Sequence, residues 1–214
     1  MKYFGALFLS LFLLVSCEDK NKKAYKPVSV GAINSLAVVM ENQLWEGKVG
    51  DKVREHFAAP ILGLTWNEPQ FSIEHMPHRV FTGMTRHRRA VLYVSLYSLD
   101  LSHIKTDLYA SPEKVGVIKG RTEEELINNI QEGADKIIAS FKTTEMEEAQ
   151  KRFLRSLNKD TILQSKFNIS LRLPSIYTVG KEEDNFIWID REIPKGTMNI
   201  IVYAMPWDSF ENDS

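Results

Sequence analysis

The stretch "AVLYVSL", from Ala90 to Leu96, decides the fold, because the residues on both of its alternating faces are largely apolar. A strand with one face in water alternates apolar and polar residues, whereas this pattern is typical of a strand covered on both faces. We therefore predict a central strand of a sheet here. The segments on either side should supply the flanking strands and the helices that cover the sheet.

The chain before this stretch predicts a strand, a helix and a second strand. Ser35 to Met40 is an apolar run of strand length. A helix is predicted between Met40 and Ala59, and Ala59-Pro60 marks its end, since the residue before a proline disfavours the α region. Phe71 to Met76 alternates apolar with polar residues up to Pro77, as a half-buried strand does. Between Met40 and Ala59, apolar residues recur at every fourth position, which is typical of an amphipathic helix facing a core: Trp45, Val49, Val53 and Phe57.

The chain after this stretch predicts a strand and two helices. Lys114 to Lys119 is a strand candidate. Thr122 to Glu125 has the capping-box pattern, and Thr144 to Glu147 repeats it. We therefore expect two consecutive helices that break near Thr143. The apolar stripe of the first helix comprises Leu126, Ile130, Ile137 and Phe141.

Three further strands are predicted towards the end of the sequence: Phe167 to Pro174, Phe186 to Ile189 after a turn, and Met198 to Ala204. The resulting fold class is α+β, with a mixed or antiparallel sheet and packed helices. A weak repeat of Phe-x-Ile, Pro and Gly leaves two β-α-β-β-like units open as an arrangement. The globular domain would span residues 29–214, either as one body or as two subdomains of about 29–110 and 111–214.

The amino-terminal segment predicts export and a lipid anchor. Lys2 followed by an apolar run from Phe4 to Val15 has the pattern of a signal peptide, and that run is too short for a membrane span. The segment "LFLLVSCEDKNKK", Leu11 to Lys23, places the single cysteine, Cys17, where the apolar run ends. Its residues Leu14 to Cys17 resemble the lipobox of bacterial lipoproteins. We therefore expect a signal peptide over 1–16 and a lipidated Cys17 with a polar tether over 17–28.

Composition and the anchor restrict the partners. A chain with 27 Lys and Arg against 28 Asp and Glu has no basic footprint for nucleic acid. Lipidation would use the only cysteine and so removes disulfides and thiolate chemistry. Acyl chains such as palmitate on Cys17 would hold the protein on a membrane. The expected location is the bacterial cell envelope, at the outer membrane, with the leaflet left open.

Three segments resemble a known family. They are "SLAVVMENQLWEGKVGDKVREHF" (35–57), "NEPQFSIEHMP" (67–77) and "FNISLRLPSIYTVGKEEDNFIWIDRE" (167–192). The chain resembles domain-of-unknown-function family 4837, a group of Gram-negative bacterial lipoproteins. The resemblance implies a lipid anchor and supplies no catalytic residues, because the family has no assigned activity. It also implies that the carboxyl terminus of this chain is truncated.

One basic turn is a candidate for a binding site, although a solvated turn before the Ala90 strand is the more common role of such a segment. The stretch "EHMPHRVFTGMTRHRR" is dense in guanidinium groups, which suit phosphate or carboxylate ligands. The anion-binding candidates are Arg79, Arg86, Arg88 and Arg89. No metal site is expected, because Glu74 and His75 point to opposite faces of a strand while His75 and His78 flank Pro77.

Two functions remain open at this point. The sequence contains no serine-hydrolase elbow, zinc-protease motif or phosphate loop, and it gives no reason to expect a cofactor. We favour a non-enzymatic binding or interaction module, whose partner is an envelope protein or an anionic ligand. The alternative is an envelope hydrolase acting on peptide or glycan. The tryptophans Trp66, Trp188 and Trp207 could form a binding surface, although burial is the more common fate of such rings.

Overall fold

The computed structural model of the chain describes residues 25–64, 67–194 and 196–209. The predicted signal peptide, Cys17 and most of the tether lie outside these residues. The first five strands are β1 (Ser35–Val39), β2 (Ser72–Met76), β3 (Ala90–Leu96), β4 (Leu101–Thr106) and β5 (Lys114–Gly120). They form one sheet in the order β2-β1-β3-β5-β4. All neighbours are parallel except β4, which runs antiparallel to β5 at the edge.

Strand β3 occupies the centre of this sheet, as the apolar pattern of Ala90 to Leu96 predicts. It pairs with β1 on one side and with β5 on the other, both in parallel. Parallel strands require crossover connections, and here a helical segment links β1 to β2. The mixed sheet and the helices confirm the α+β class.

All three helices of this part pack on one face of the sheet. They are α1 (Asn42–Glu46), α2 (Lys48–Phe57) and α3 (Glu123–Phe153). The predicted phase of the first helical segment is correct, since Val49, Val53 and Phe57 are fully buried. Trp45 is half-buried and packs at the margin of the same core. The ring of Phe141 on α3 lies 6.0 Å from Phe71, edge to face, so aromatic contacts connect α3 to the segment before β2.

The helical segment after β1 consists of two short helices in close contact. Helix α1 ends at Glu46, α2 begins at Lys48, and Gly47 between them caps both helices. Gly50 on α2 faces the backbone of α1, and a Cβ at this position would overlap the carbonyl group of Trp45. Only glycine allows this approach, which explains the Trp45-x-Gly47-x-x-Gly50 spacing in packing terms.

Helix α3 is continuous, and the prediction of two helices is wrong. Thr122 caps it as predicted, accepting a hydrogen bond from the Glu125 N–H at 3.2 Å. Thr144 and Glu145, which resemble a second cap in the sequence, lie within the helix, and both are buried in the protein. The Thr144 hydroxyl donates to the Ser140 carbonyl, and Glu145 pairs with an arginine of the sheet. Thr144 thus bonds within the helix and Glu145 makes a tertiary ion pair, so neither side chain caps a helix start and the helix does not end there.

The chain from residue 155 onwards forms a smaller antiparallel unit. It consists of α4 (Ile162–Phe167), β6 (Thr178–Glu183), β7 (Phe186–Ile193) and β8 (Gly196–Tyr203). The sheet order is β6-β7-β8. One face carries its own small core, formed by Leu163, Tyr177, Ile187 and Ile189. Within the described ranges, no helix combines the length and the apolar character needed to cross a membrane.

Two details of the predicted organisation are wrong. The β-α-β-β repeat, with a boundary near 110, fails because β5 pairs with β3 and completes the first sheet. The strand expected at Phe167 to Pro174 is absent, because α4 ends at Phe167 and Asn168 adopts a left-handed conformation with φ 55°. Strands β4 and β6 were not predicted.

Candidate functional site

The second face of the five-stranded sheet carries the candidate site, because no helix of the described part of the chain covers it. Its buried cluster contains residues of the strands and of the loop segments only. Two short 3-10 turns, His78–Val80 and Gly83–Arg86, lie over part of it. Parallel sheets are normally covered on both faces, so an open face on such a sheet indicates a surface available for a ligand.

A groove follows this face at the carboxyl ends of the parallel strands. Strand β1 connects to β2 on one side and has β3 on the other, which makes the β1–β3 gap the switch point where open α/β sheets bind ligands. The groove there encloses about 480 Å³ and continues into a second cavity of about 290 Å³. The two cavities share three lining residues: His78, Tyr93 and Lys119. We call the two cavities together the switch-point groove.

The strand register brings the lining side chains to one face. Tyr93 is opposite Val117 and Ser95 is opposite Lys119 in the β3–β5 pair. Lys105 of β4 is opposite Val115 of β5, two positions before Val117. Because alternate residues of a strand share a face, these side chains all project from the helix-free side. The groove therefore combines an aromatic floor with basic side chains.

Three cations border the groove and have no carboxylate partner among the residues that the structure describes. The Arg86 guanidinium lies 5.2 Å from the centre of the Tyr109 ring, and its Nε donates to the Phe81 carbonyl at 2.9 Å. The Lys119 ammonium lies 4.0 Å from the centre of the Tyr97 ring. Within the described residues, none of Arg86, Lys105 and Lys119 is in an ion pair. Cation–π contacts position a charge without neutralising it, so the positive charge remains available.

Partial burial shifts the pKa of two groups near these cations. Partial desolvation, together with Lys105 and Lys119, lowers the pKa of His103 below its ordinary value. Burial raises the pKa of Tyr93, and the nearby Tyr109 and Glu41 act in the same direction. The Tyr93 hydroxyl therefore stays protonated and is a hydrogen-bond donor in the groove.

One histidine–carboxylate pair lies where the two cavities join. His78 Nδ1 is 2.9 Å from Glu41 Oε1, and the His78 ring is 4.5 Å from the Tyr93 ring, centre to centre. His78 Nε2 is buried and has no hydrogen-bond partner in the described part of the chain. A buried ring nitrogen of this kind can donate to or accept from a ligand. It can also serve as a general base if a nucleophile is brought to it.

The four arginines of the predicted basic turn do not converge. Arg79 is exposed and Arg86 borders the groove. Arg88 pairs with Glu74, and Arg89 is buried in an ion pair with Glu145. The structure therefore does not bring these four arginines together: Arg88 and Arg89 are in ion pairs, and only Arg86 lines the groove.

The histidines weighed for a metal site are used in packing. The His75 ring stacks on Trp45 with centres 4.6 Å apart, and its Nε2 lies 2.9 Å from the Met40 carbonyl oxygen. His78 is paired with Glu41 and does not form a site with His75. Among the residues that the structure describes, no group of three potential ligands lies close enough to hold a metal ion.

A second exposed surface lies on the small antiparallel sheet. Trp188 and Ile201 are opposite each other on the face away from the small core, and Tyr203 lies two residues further along β8. The Trp188 Nε1 donates to Asn199 Oδ1 at 2.9 Å. Trp207, which follows β8, is almost fully exposed, contrary to the expected burial, while Trp66 lies outside the described residues. This face carries exposed apolar side chains.

Sequence reasoning found Arg86 and missed the other groove residues. Lys105 belongs to β4, whose pattern "LSHIKT" lacks regular apolar alternation. Lys119 ends a predicted strand, but whether its side chain lies on the open face depends on which face of the sheet the helices occupy. The available signal was the pair His103 and Lys105, which share one face in any strand.

Two family models match the chain, and together they cover almost all of the described residues. A model described as Domain of unknown function (DUF8532) matches residues 29–154. A model described as Domain of unknown function (DUF4837) matches residues 156–214, which confirms the suspected resemblance for this part. The boundary between the matches follows the end of α3 at Phe153. Neither the curated proteins nor the solved structures contain a match.

Proposed function

We propose that this chain, which belongs to the family of the Domain of unknown function (DUF8532), is a lipid-anchored cell-envelope protein that binds an anionic ligand without chemical turnover. The binding site is the switch-point groove. The observation that supports this proposal is the set of three cations, Arg86, Lys105 and Lys119, that border the groove without ion-pair partners in the described residues.

An anion gains most where positive charge is already positioned and is not paired with a carboxylate. Arg86 and Lys119 are positioned by aromatic rings, and a ligand does not have to displace a competing carboxylate from them. Hydrogen bonds between ionised partners are about twice as strong as neutral ones. Since the whole chain has a formal net charge of −1, this local excess of positive charge is a property of the groove.

The anchor rests on the amino-terminal sequence. The apolar run that ends at Cys17 supports lipidation, and two or three acyl chains would hold the protein on a bilayer. Replacing Cys17 by Ser should abolish incorporation of radiolabelled fatty acid and leave a mislocalised precursor. Equal incorporation into Cys17→Ser and the parent protein would contradict the anchor.

Binding is tested with the full-length protein in detergent, immobilised and exposed to solubilised envelope material. The parent should retain acidic material that elutes at raised salt, because salt screens charge–charge attraction. The Lys105→Gln/Lys119→Gln double variant should lose this retention. Lys114→Gln is the matched control, because Lys114 lies on β5 with the opposite side-chain direction to Lys119. Equal retention by parent and double variant would contradict the proposal.

A hydrolase remains the second candidate because of one observation, the His78–Glu41 pair at 2.9 Å beside a groove. A histidine oriented by a carboxylate is a general-base arrangement. If the protein hydrolyses peptide or glycan, a purified preparation should release new chain ends at a rate that His78→Gln abolishes. Release that is unchanged in His78→Gln, or absent from the parent, would exclude this pair as the catalytic base.

A further inference from the structure

We propose that the ligand of the switch-point groove is an acidic saccharide, that is, a hydroxyl-bearing sugar ring with a carboxylate or phosphate group. This inference rests on the binding function proposed above and specifies its ligand class. The two cavities of the groove differ in chemistry, and a ligand that occupies both must combine an anion with several hydrogen-bond donors.

The smaller cavity is the anion subsite. It is lined by Arg86, Lys105 and Lys119, and none of its lining residues is acidic. Tyr93 and Tyr109 contribute rings and hydroxyl groups to the same cavity. A carboxylate or phosphate placed here would meet ammonium, guanidinium and hydroxyl donors and no lining carboxylate, which is the arrangement that suits charge-assisted hydrogen bonds.

The larger cavity is the hydroxyl subsite. Its polar lining includes the carboxylates of Glu41 and Glu123 and the side chains of Gln43 and Ser95. An ionised carboxylate only accepts hydrogen bonds, so its ligand must donate them. Sugar hydroxyls both donate and accept, and they suit a lining of carboxylate, amide and hydroxyl groups.

The junction between the subsites also favours a compact polar ligand. Lys119 and His78 line both cavities. His78 Nε2 is buried and unpartnered within the described residues, while Nδ1 is held by Glu41. A buried polar atom without a partner is costly, and a ligand hydroxyl at this point would satisfy it.

A nucleotide fits this groove less well. Recognition of a base commonly uses an aromatic ring face on which the base stacks. Here, each groove tyrosine already has a positively charged group or an imidazole against it: Lys119 on Tyr97, Arg86 on Tyr109 and His78 on Tyr93. The rings position cations and leave less stacking surface for a base.

An extended peptide also fits less well. Peptides that bind sheets commonly add as a strand along a free edge, where main-chain groups are unpaired. The groove lies on the face of the sheet over β1, β3 and β5, and each of these strands has neighbours on both sides. The groove thus offers side chains and no main-chain ladder. Its larger cavity of about 480 Å³ is of the size that holds small ligands.

The test is calorimetric titration of the full-length protein in detergent with defined probes. Glucuronate and digalacturonate represent sugar carboxylates, and glucose 6-phosphate represents sugar phosphates. Glucose, acetate and inorganic phosphate supply the ring or the anion alone, and an acidic tetrapeptide represents peptides. At least one acidic sugar should bind at least about tenfold more tightly than glucose and than its matching free anion.

Variants assign the binding to the two subsites. Lys105→Gln/Lys119→Gln should weaken binding of the acidic sugar by at least about tenfold, and Glu41→Gln should weaken it as well. Lys114→Gln and Glu46→Gln are the controls, since neither residue lines the groove. The preferred probe, sugar carboxylate or sugar phosphate, identifies the anion. Circular dichroism of each variant shows whether its fold is retained.

Other results would overturn the saccharide inference and can be told apart from failure of the proposed function. Free anions that bind as tightly as acidic sugars, or an acidic tetrapeptide that binds more tightly, would overturn the saccharide and keep a binding groove. Affinity for acidic sugars that is unchanged in folded Lys105→Gln/Lys119→Gln would overturn the groove itself. If Lys105→Gln/Lys119→Gln loses retention in the envelope experiment and the parent binds none of the probes, only the ligand class would be overturned.

Discussion

Arg89 and Glu145 form an ion pair in the interior of the protein, with 2.8 Å between Arg89 Nε and Glu145 Oε1 and only 2% of each side chain exposed. Arg89 immediately precedes β3, and Glu145 lies in the second half of α3. Glu145 also accepts the Asn34 N–H at 2.8 Å, and Arg89 Nη2 donates to the Ala32 carbonyl at 2.8 Å. The pair therefore joins the sheet, the long helix and the segment before β1.

Replacing Arg89 by Met should destabilise the protein by about 3–5 kcal/mol, because Glu145 would keep a buried charge without its partner. Replacing both Arg89 and Glu145 by Met should cost less than the sum of the two single changes. Chemical denaturation of the four proteins measures both effects. Arg88→Met is the control, because its ion pair with Glu74 is partly exposed and should contribute no more than about 1 kcal/mol. Additive single and double effects would contradict this coupling.

Local patterns predicted β1, β2, β3, β5 and the start of α3, because each is encoded by neighbouring residues. The break expected near Thr143 is wrong because the role of Glu145 depends on Arg89, 56 residues earlier in the chain. The groove was only partly predictable for the same reason. Arg86 is visible in a basic run, whereas Lys119 joins it through the β3–β5 register, which no short window of sequence contains.

Phe57 tests the predicted helix phase, since its side chain is completely buried between α2 and the sheet. Truncating Phe57 to Ala should lower the free energy of unfolding by about 3–5 kcal/mol through lost burial and a residual cavity. Phe153→Ala is the matched control, because 42% of Phe153 is exposed and its loss should cost about 1 kcal/mol. Urea denaturation gives both values, and equal effects would show that Phe57 is not a core residue.

Gly50 tests the close contact between α1 and α2. Alanine is the better helix former by about 1 kcal/mol, so Gly50→Ala would stabilise an unconstrained helix. Here it should destabilise the protein by about 1–3 kcal/mol, because the added Cβ overlaps the Trp45 backbone. Gly133→Ala on α3 is the control, since its nearest neighbour is the movable Ser102 hydroxyl. Thermal unfolding compares the two, and a stabilised Gly50→Ala would contradict the contact.

Glu113 predicts a pH dependence of stability. Burial raises the pKa of this carboxyl group, although its Oε2 accepts the Leu108 and Tyr109 N–H groups at 2.8 Å each. An acid whose pKa is raised by folding contributes stability below its unfolded pKa of about 4.3, and this contribution is lost as the pH rises through the folded pKa.

The comparison with Glu113→Gln isolates this effect, because the amide keeps a carbonyl oxygen for the two N–H groups and does not titrate. The free energy of unfolding of the parent, minus that of Glu113→Gln, should fall as the pH rises from about 4 towards neutrality. Urea denaturation at several pH values measures this difference. A difference that stays constant, or that increases with pH, would show that burial does not control this carboxyl group.

The exposed face of the small sheet should tolerate charge. Ile201 is 57% exposed on the face away from the small core. Ile201→Lys should therefore change the free energy of unfolding by no more than about 0.5 kcal/mol. Ile187→Lys, at a fully buried position of the neighbouring strand, should unfold this unit. Circular dichroism and urea denaturation test both variants, and a strongly destabilised Ile201→Lys would mean that the exposed face is packed in solution.

Hydrogen–deuterium exchange of the full-length protein, with and without solubilised envelope material, shows directly whether the ligand is held in the switch-point groove. We expect slower exchange in the segments that border the groove, residues 78–86 and 105–110, and no change in these segments for Lys105→Gln/Lys119→Gln. Protection confined to β8, or no protection at the groove under conditions where the protein retains envelope material, would contradict it.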